Sequence, residues 1–146
     1  MTPVSTRSLS TLLFSLLLSF AALTAYGESS ELFVVLTSAD AETQMMALVL
    51  ATQSVNQDVP VRVLLCSDAG DLAITGTESP VFAPANRSPK QLLTALLERG
   101  VRVDVCGIYL PNREYSDLDL IDGIGIASPP EVASYMKRPA VRYFTF

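Results

Sequence analysis

Residues 61–66 read VRVLLC and residues 101–106 read VRVDVC, two nearly identical runs forty positions apart, each ending on one of the chain's two cysteines. Short, almost continuous apolar runs bounded by turn residues are the signature of strands buried on both faces of a parallel sheet. What lies between and around them decides how such strands are joined. Ser88-Pro89-Lys90-Gln91 supplies an N-cap serine, a proline at the first helical position and a glutamine at the third, a strong helix start. The helix runs through QLLTALLER and stops at Gly100, where a left-handed C-terminal residue is wanted. A strand over Val101–Tyr109 follows directly.

Upstream, Glu31–Thr37 (ELFVVLT) is a third apolar run of strand length. Thr37-Ser38-Ala39-Asp40 has the form of a capping box, and Ala41–Val55 is rich in Ala, Met, Leu and Gln, which favour helix. Downstream, Gly123–Ala127 (GIGIA) predicts a short strand entered by a turn, Ser128-Pro129-Pro130-Glu131 caps a helix over Glu131–Lys137, and Val141–Phe146 predicts a closing strand. The order βαβαβ followed by βαβ predicts an α/β fold of three α/β/α layers around a mainly parallel five-stranded sheet. A flavodoxin-like strand order 2-1-3-4-5 is the working assumption. Asp68–Arg87 predicts a short helix near Asp71–Thr75 and then an ordered loop whose length marks it as a lid or interface element.

The chain begins with residues of another kind. A free amino terminus and Arg7 precede the apolar stretch Leu9–Leu23, and Ala25-Tyr26-Gly27 offers small residues for cleavage. The stretch is shorter than the 20 or so residues of a comfortable membrane span. Residues 1–27 are therefore expected to be a cleavable signal peptide, cut after Gly27 or alternatively after Ala25. Residues 28–146 are expected to be a single exported, periplasmic domain with no stable membrane insertion. Nine Lys and Arg then face fifteen Asp and Glu. Such a surface repels phosphate backbones, and there is no basic stripe or aromatic ladder, so no nucleic-acid partner is expected.

The assumed strand order bears on the cysteines. With strands 2 and 3 flanking strand 1, Cys66 and Cys106 would stand two strand spacings apart, about 9 to 10 Å. A disulfide needs Cα atoms within about 7 Å, so the pair is expected to be unbridged even in an oxidising compartment. Cys66 is followed by Ser67-Asp68, an acid that would oppose a thiolate, and reads as a small core residue ending a strand. Cys106 is followed by Gly107, which would give access, and by a loop carrying Arg113, whose charge would stabilise a thiolate. Cys106 too can be read as a core residue.

Chemistry by other routes is narrowed by what is missing. The chain has no histidine, which removes Cys-His and Ser-His-Asp catalysis and His-ligated zinc. Its glycines form neither a dinucleotide fingerprint nor a P-loop. Asp117, Asp119 and Asp122 lack the spacing of a calcium loop, and adjacent Met45 and Met46 point in different directions on a helix. No cofactor and no metal are expected.

The segment RGVRVDVCGIYLPNREYSDLDLIDGIGIASPPEVASYM, with the closing VRYFTF, resembles the DsrE/DsrF-like family of small sulfur-relay proteins. LFVVLTSADAETQMMALVLATQSV is similar to the family's first strand and helix, so the likeness covers residues 28–146. The most specific elements are VDVCG and the downstream LIDGIGIAS. The resemblance implies a DsrE-like fold and a persulfide-carrying Cys106, with Gly107 and Arg113 beside it, and sulfur donor and acceptor proteins as partners. It further implies a homo-oligomer, a trimer or hexamer. Cys66 matches no motif of the family. The alternative is a non-catalytic oligomeric binding module on the same fold, with a structural Cys106 and the 68–87 loop as its binding surface.

Overall fold

The computed structural model describes residues 30–146; the expected signal peptide lies outside the described residues. Five strands form one all-parallel sheet: β1 (Glu31–Leu36), β2 (Val61–Leu65), β3 (Arg102–Cys106), β4 (Gly125–Ala127) and β5 (Val141–Thr145). The helices are α1 (Ala41–Asn56), α2 (Pro89–Glu98) and α3 (Pro129–Met136). The predicted α/β architecture is therefore present, but the sheet runs β4-β3-β2-β1-β5 and not 2-1-3-4-5. Each of the first two crossovers places its strand beside the one just left, always on the same side. The return to the opposite edge comes only after β4.

That path fixes the layers. Right-handed crossovers moving one way leave their helices on one face, and a crossover moving back leaves its helix on the other. Accordingly α1 and α2 pack together over one face, burying Val34, Leu36, Val63, Leu65, Val103 and Val105 with Leu48, Leu93 and Leu96. The other face carries α3 alone, where Val132 and Tyr135 pack on Phe33, Leu64 and Val141. The repeated VRV motif alternates across the two faces, and the residues turned toward α3 are polar. Arg62 and Asp104 are both buried there. Arg62 Nη2 donates to Asp104 Oδ2 at 2.8 Å, and Arg102 Nε donates to the same oxygen at 2.9 Å. Glu131 of α3 accepts from both Arg102 Nη atoms at 2.8 Å and lies 3.1 Å from Arg62 Nη1. The Arg62 guanidinium also lies over the Tyr135 ring at 4.9 Å. Opposite Asp104, residue 125 must be glycine, since a Cβ there would come within 2.6 Å of Asp104 Oδ1.

Helix starts differ from one another in how well local sequence marks them. Ser88 and Gln91 form the expected capping box, each side chain bonded to the other's backbone N–H at 3.2 and 2.9 Å. The first helix is capped by Asp40, which accepts from Thr43 N at 2.8 Å, and not by the Thr37 box. Thr37 is used elsewhere: its N–H and its hydroxyl both donate to the Phe146 carbonyl, at 2.8 and 2.7 Å, tying the end of β1 to the end of β5. At the 68–87 segment the helical part is a 3-10 helix over Ser67–Ala73, which begins four residues before the expected start at Asp71 and ends two before Thr75. The remainder is held by Ile74 bridging Leu120 and by Lys90, whose ammonium donates to the carbonyls of Ile74 and Thr77. Burial of that ammonium lowers its pKa. Among the described residues, no helix is long and apolar enough to cross a membrane.

Candidate functional site

The strand order rewrites the relation between the cysteines. β2 and β3 are neighbours, and their register pairs Arg62 with Arg102, Val63 with Val103 and Leu65 with Val105. The two similar runs thus lie side by side in phase. The next step of that register sets Cys66 against Cys106, with Cα atoms 5.1 Å apart, and the two are joined in a disulfide. This corrects the expectation of two separate thiols. The error lay in the assumed intervening strand, because a spacing of about 5 Å between adjacent strands suits a bridge and two spacings do not. Cys66 is accordingly the bonding partner of Cys106 and not merely a core residue at a strand end.

Both residues are held at the carboxyl ends of their strands by backbone hydrogen bonds. Cys66 N donates to Leu36 O at 2.9 Å, and the Cys106 carbonyl accepts from Tyr109 N at 2.8 Å. Their surroundings differ. Cys106 lines a pocket of about 230 Å³ on the α3 side of the sheet, together with Leu64, Gly107, Ala127, Pro129, Val132, Ala133 and Met136. Cys66 is not among the lining residues. The walls are almost wholly apolar. Leu64 comes from β2, Cys106 and Gly107 from the end of β3, Ala127 from the end of β4, and Pro129, Val132, Ala133 and Met136 from α3.

Gly107 is solvent-exposed at the mouth of this pocket. Its lack of a side chain has a steric cause, since a Cβ would lie 2.9 Å from the Ala127 carbonyl oxygen. Larger residues would push β4 away from β3. Arg113 is placed on the 3-10 turn after β3, where it forms an ion pair with Asp68 and lies over the Tyr109 ring at 5.6 Å. The acid expected to oppose a thiolate and the base expected to support one are therefore paired with each other. The Asp68 hydrogen bond raises the Arg113 pKa above its usual value. Tyr109 itself is buried, and its hydroxyl bonds to Asp71. Burial first, and then that hydrogen bond, push the phenol well above its ordinary range.

The remaining acidic and sulfur residues are otherwise occupied. Asp119 accepts from the Ser116 N–H and hydroxyl at 2.7 and 2.8 Å, which lowers its pKa. Met45 is half-buried and Met46 exposed on α1. Among the described residues, no group of three or more potential ligands from His, Cys, Asp and Glu is gathered closely enough to hold a metal ion. Two features of the site were missed in the sequence, the partnership of Cys66 and the pocket walls from α3. The first had a signal, the in-phase repeat of VRVLLC and VRVDVC. The second had none, because α3 arrives on that face only through the long return from β4 to β5.

No protein-family model matches the chain. Among curated proteins it is similar to the uncharacterized protein MJ0760 of Methanocaldococcus jannaschii, 27% identical over 114 residues. That alignment covers 77% of this chain and 42% of the archaeal protein, so the chain spans less than half of its relative's length. Among solved structures it is similar to the YchN protein of E. coli, with a TM-score of 0.69, 26% identity, and coverage of 80% of this chain and 99% of that one. The fold is DsrE-like. A protein of unknown function from Methanobacterium thermoautotrophicum, MTH1491, shares this fold at a TM-score of 0.62 and 16% identity, with the same coverage.

Proposed function

We propose that the protein is a sulfur-relay-type carrier, exported to the periplasm, whose reduced Cys106 takes up a sulfane sulfur as a persulfide. The observation that carries this reading is the position of Cys106 at the carboxyl end of β3, on the wall of an apolar pocket large enough for a small sulfur species. A Cys106 thiolate attacks the outer sulfur of a donor persulfide, the donor leaves as its thiolate, and Cys106–S–SH remains. An acceptor thiol or sulfite then attacks the outer sulfur and regenerates the Cys106 thiolate. Apolar walls limit hydration of the bound sulfur and so limit its loss to water. Gly107 keeps the mouth open. Arg113, held by Asp68, supports the adjoining turn and contributes positive charge at longer range.

Assembly into a trimer or hexamer is part of the proposal. Met46, Val49 and Leu50 expose an apolar strip on α1, and Tyr143 and Phe144 do so on edge strand β5, surfaces that subunit contacts would cover. The test of the carrier is intact-mass measurement of reduced Cys66→Ser and Cys66→Ser/Cys106→Ser proteins after incubation with glutathione persulfide. An adduct of about 32 Da is expected on the first and none on the second. Absence of the adduct from the first would leave the alternative, a binding module with a structural bridge.

A further inference from the structure

The apolar pocket accounts for Cys106 but leaves Cys66 without a task, although it is the nearest reactive group to the proposed sulfur site. We propose that Cys66 is a resolving thiol that converts the Cys106 persulfide into the Cys66–Cys106 disulfide and releases sulfide. The proposal rests on the carrier reading above, and it changes the outcome of that chemistry from storage of sulfur to its reduction.

The argument is one of placement. A persulfide has two sulfur atoms open to attack, and which of them is struck decides the product. Attack on the outer atom transfers sulfur; attack on the inner atom forms a disulfide and expels hydrosulfide. An acceptor coming through the pocket meets the outer sulfur first, because Cys106 lines that space. Cys66 approaches laterally, from the end of the neighbouring strand β2. It lies outside the pocket lining, directly across from Cys106 in the parallel register, and the disulfide shows that its Sγ reaches the inner sulfur, Cys106 Sγ. Neither residue needs to travel. Cys66 N is bonded to Leu36 O, and the Cys106 carbonyl to Tyr109 N, so the two thiols are presented to each other by a fixed ladder. An intramolecular thiol at this spacing competes strongly with a diffusing acceptor.

The atoms and electrons balance. The Cys66 thiolate forms a bond to Cys106 Sγ while the bond from Cys106 Sγ to the outer sulfur breaks, and that sulfur leaves with the electron pair as hydrosulfide. The sulfane sulfur is reduced by two electrons, and the two cysteines are oxidised by two. Hydrosulfide is a better leaving group than an alkyl thiolate, which favours this direction. Starting from the reduced protein and a low-molecular-weight persulfide, the products are the corresponding thiol, sulfide and the disulfide form of the protein. Further turnover requires a reductant of the dithiol class, which attacks the Cys66–Cys106 bond by ordinary thiol exchange.

The test is a single turnover without oxygen. Wild-type protein is reduced, freed of reductant, and mixed with glutathione persulfide, and its intact mass and the free sulfide are followed together, beside a control lacking donor. The expected result is release of sulfide matching the protein concentration, with the chain ending as the disulfide form, two hydrogens lighter, while the control stays reduced. In Cys66→Ser the sulfide should be lost and the persulfide adduct retained. A wild-type chain that holds a lasting adduct with no sulfide release would overturn the resolving role while leaving the carrier intact. Sulfide release by Cys66→Ser equal to the wild type would likewise overturn it. An adduct on Cys106→Ser would reverse the order of the two cysteines and overturn it as drawn. No adduct on Cys66→Ser and no sulfide from wild type would overturn the carrier reading and this inference with it. Should Cys66→Ser fail to fold, the wild-type mass and sulfide measurements still decide the matter.

Discussion

The two faces of the sheet are made from the same strands and have little else in common. On the side of α1 and α2, Leu36, Val63, Leu65, Val103 and Val105 present branched aliphatic side chains to two long helices. On the side of α3 the alternate residues of the same strands are Phe33, Arg62, Leu64, Cys66, Arg102, Asp104 and Cys106, met by one short helix. The first face is held by close packing, whose energy scales with apolar area removed from water. The second is held by a handful of directed contacts, and it leaves room for a pocket. Stability and chemistry are thus divided between odd and even positions of one repeated motif.

This division can be attacked from either side. The largest effect is expected on the aliphatic face. Leu36→Ala removes a fully buried side chain from the strand between β2 and β5, where neighbours on both sides prevent collapse into the space. A loss of about 4 kcal/mol in unfolding free energy is expected, measured by denaturant titration of the disulfide form, with persulfide uptake after reduction unchanged in the folded fraction. A loss below about 1 kcal/mol would mean that the two-helix face is not the chief source of stability.

A smaller effect is expected on the ionic face. Asp104→Ala leaves the Arg62 guanidinium buried with only Glu131 and the flanking rings as partners. Breaking a buried pair on one side is costly because a charge is left without compensation, here about 3 kcal/mol. Replacing both members, as Arg62→Met with Asp104→Leu, should recover most of that loss. If the double variant proves as unstable as the single one, the pair contributes through attraction and not through mutual rescue from burial.

The same contrast shows which parts of the molecule could be read in advance. The strands, the Ser88 cap with Gln91 and the turn at Gly100 rest on neighbours within a few residues, and they appear where the sequence puts them, except that β3 ends at Cys106 and not at Tyr109 and β4 begins at Gly125 and not at Gly123. The order of the strands rests on which side of β1 each crossover lands, a choice made by packing between helices far apart in the chain. No local pattern encodes it, and the disulfide went unrecognised with it. Yet Arg62 and Arg102, each after a valine, with Asp104 two positions beyond the latter, are charges in runs otherwise buried. Charges of opposite sign in two such runs imply that the runs are adjacent, since each needs the other in the interior. The α3 wall of the pocket had no comparable local cue.

The smallest effect concerns Glu131, which with Arg102 forms the half-solvated edge of the network. Hydrogen bonding from Arg102 first, and from Arg62 after it, lowers its pKa below the ordinary glutamate value. A carboxylate whose pKa is depressed by folding stabilises the folded state above its unfolded pKa, and that contribution is lost as pH falls through the folded value. Thermal unfolding of wild type and Glu131→Gln should therefore differ near neutral pH and converge in acid, as the wild-type carboxyl is protonated. The aliphatic face contains no group that titrates there, so Leu36→Ala should shift both curves by a constant amount. A gap between wild type and Glu131→Gln that persisted unchanged into acid would show that Glu131 holds α3 by shape and not by charge, and the contrast between the two faces would then rest on Arg62 and Asp104 alone.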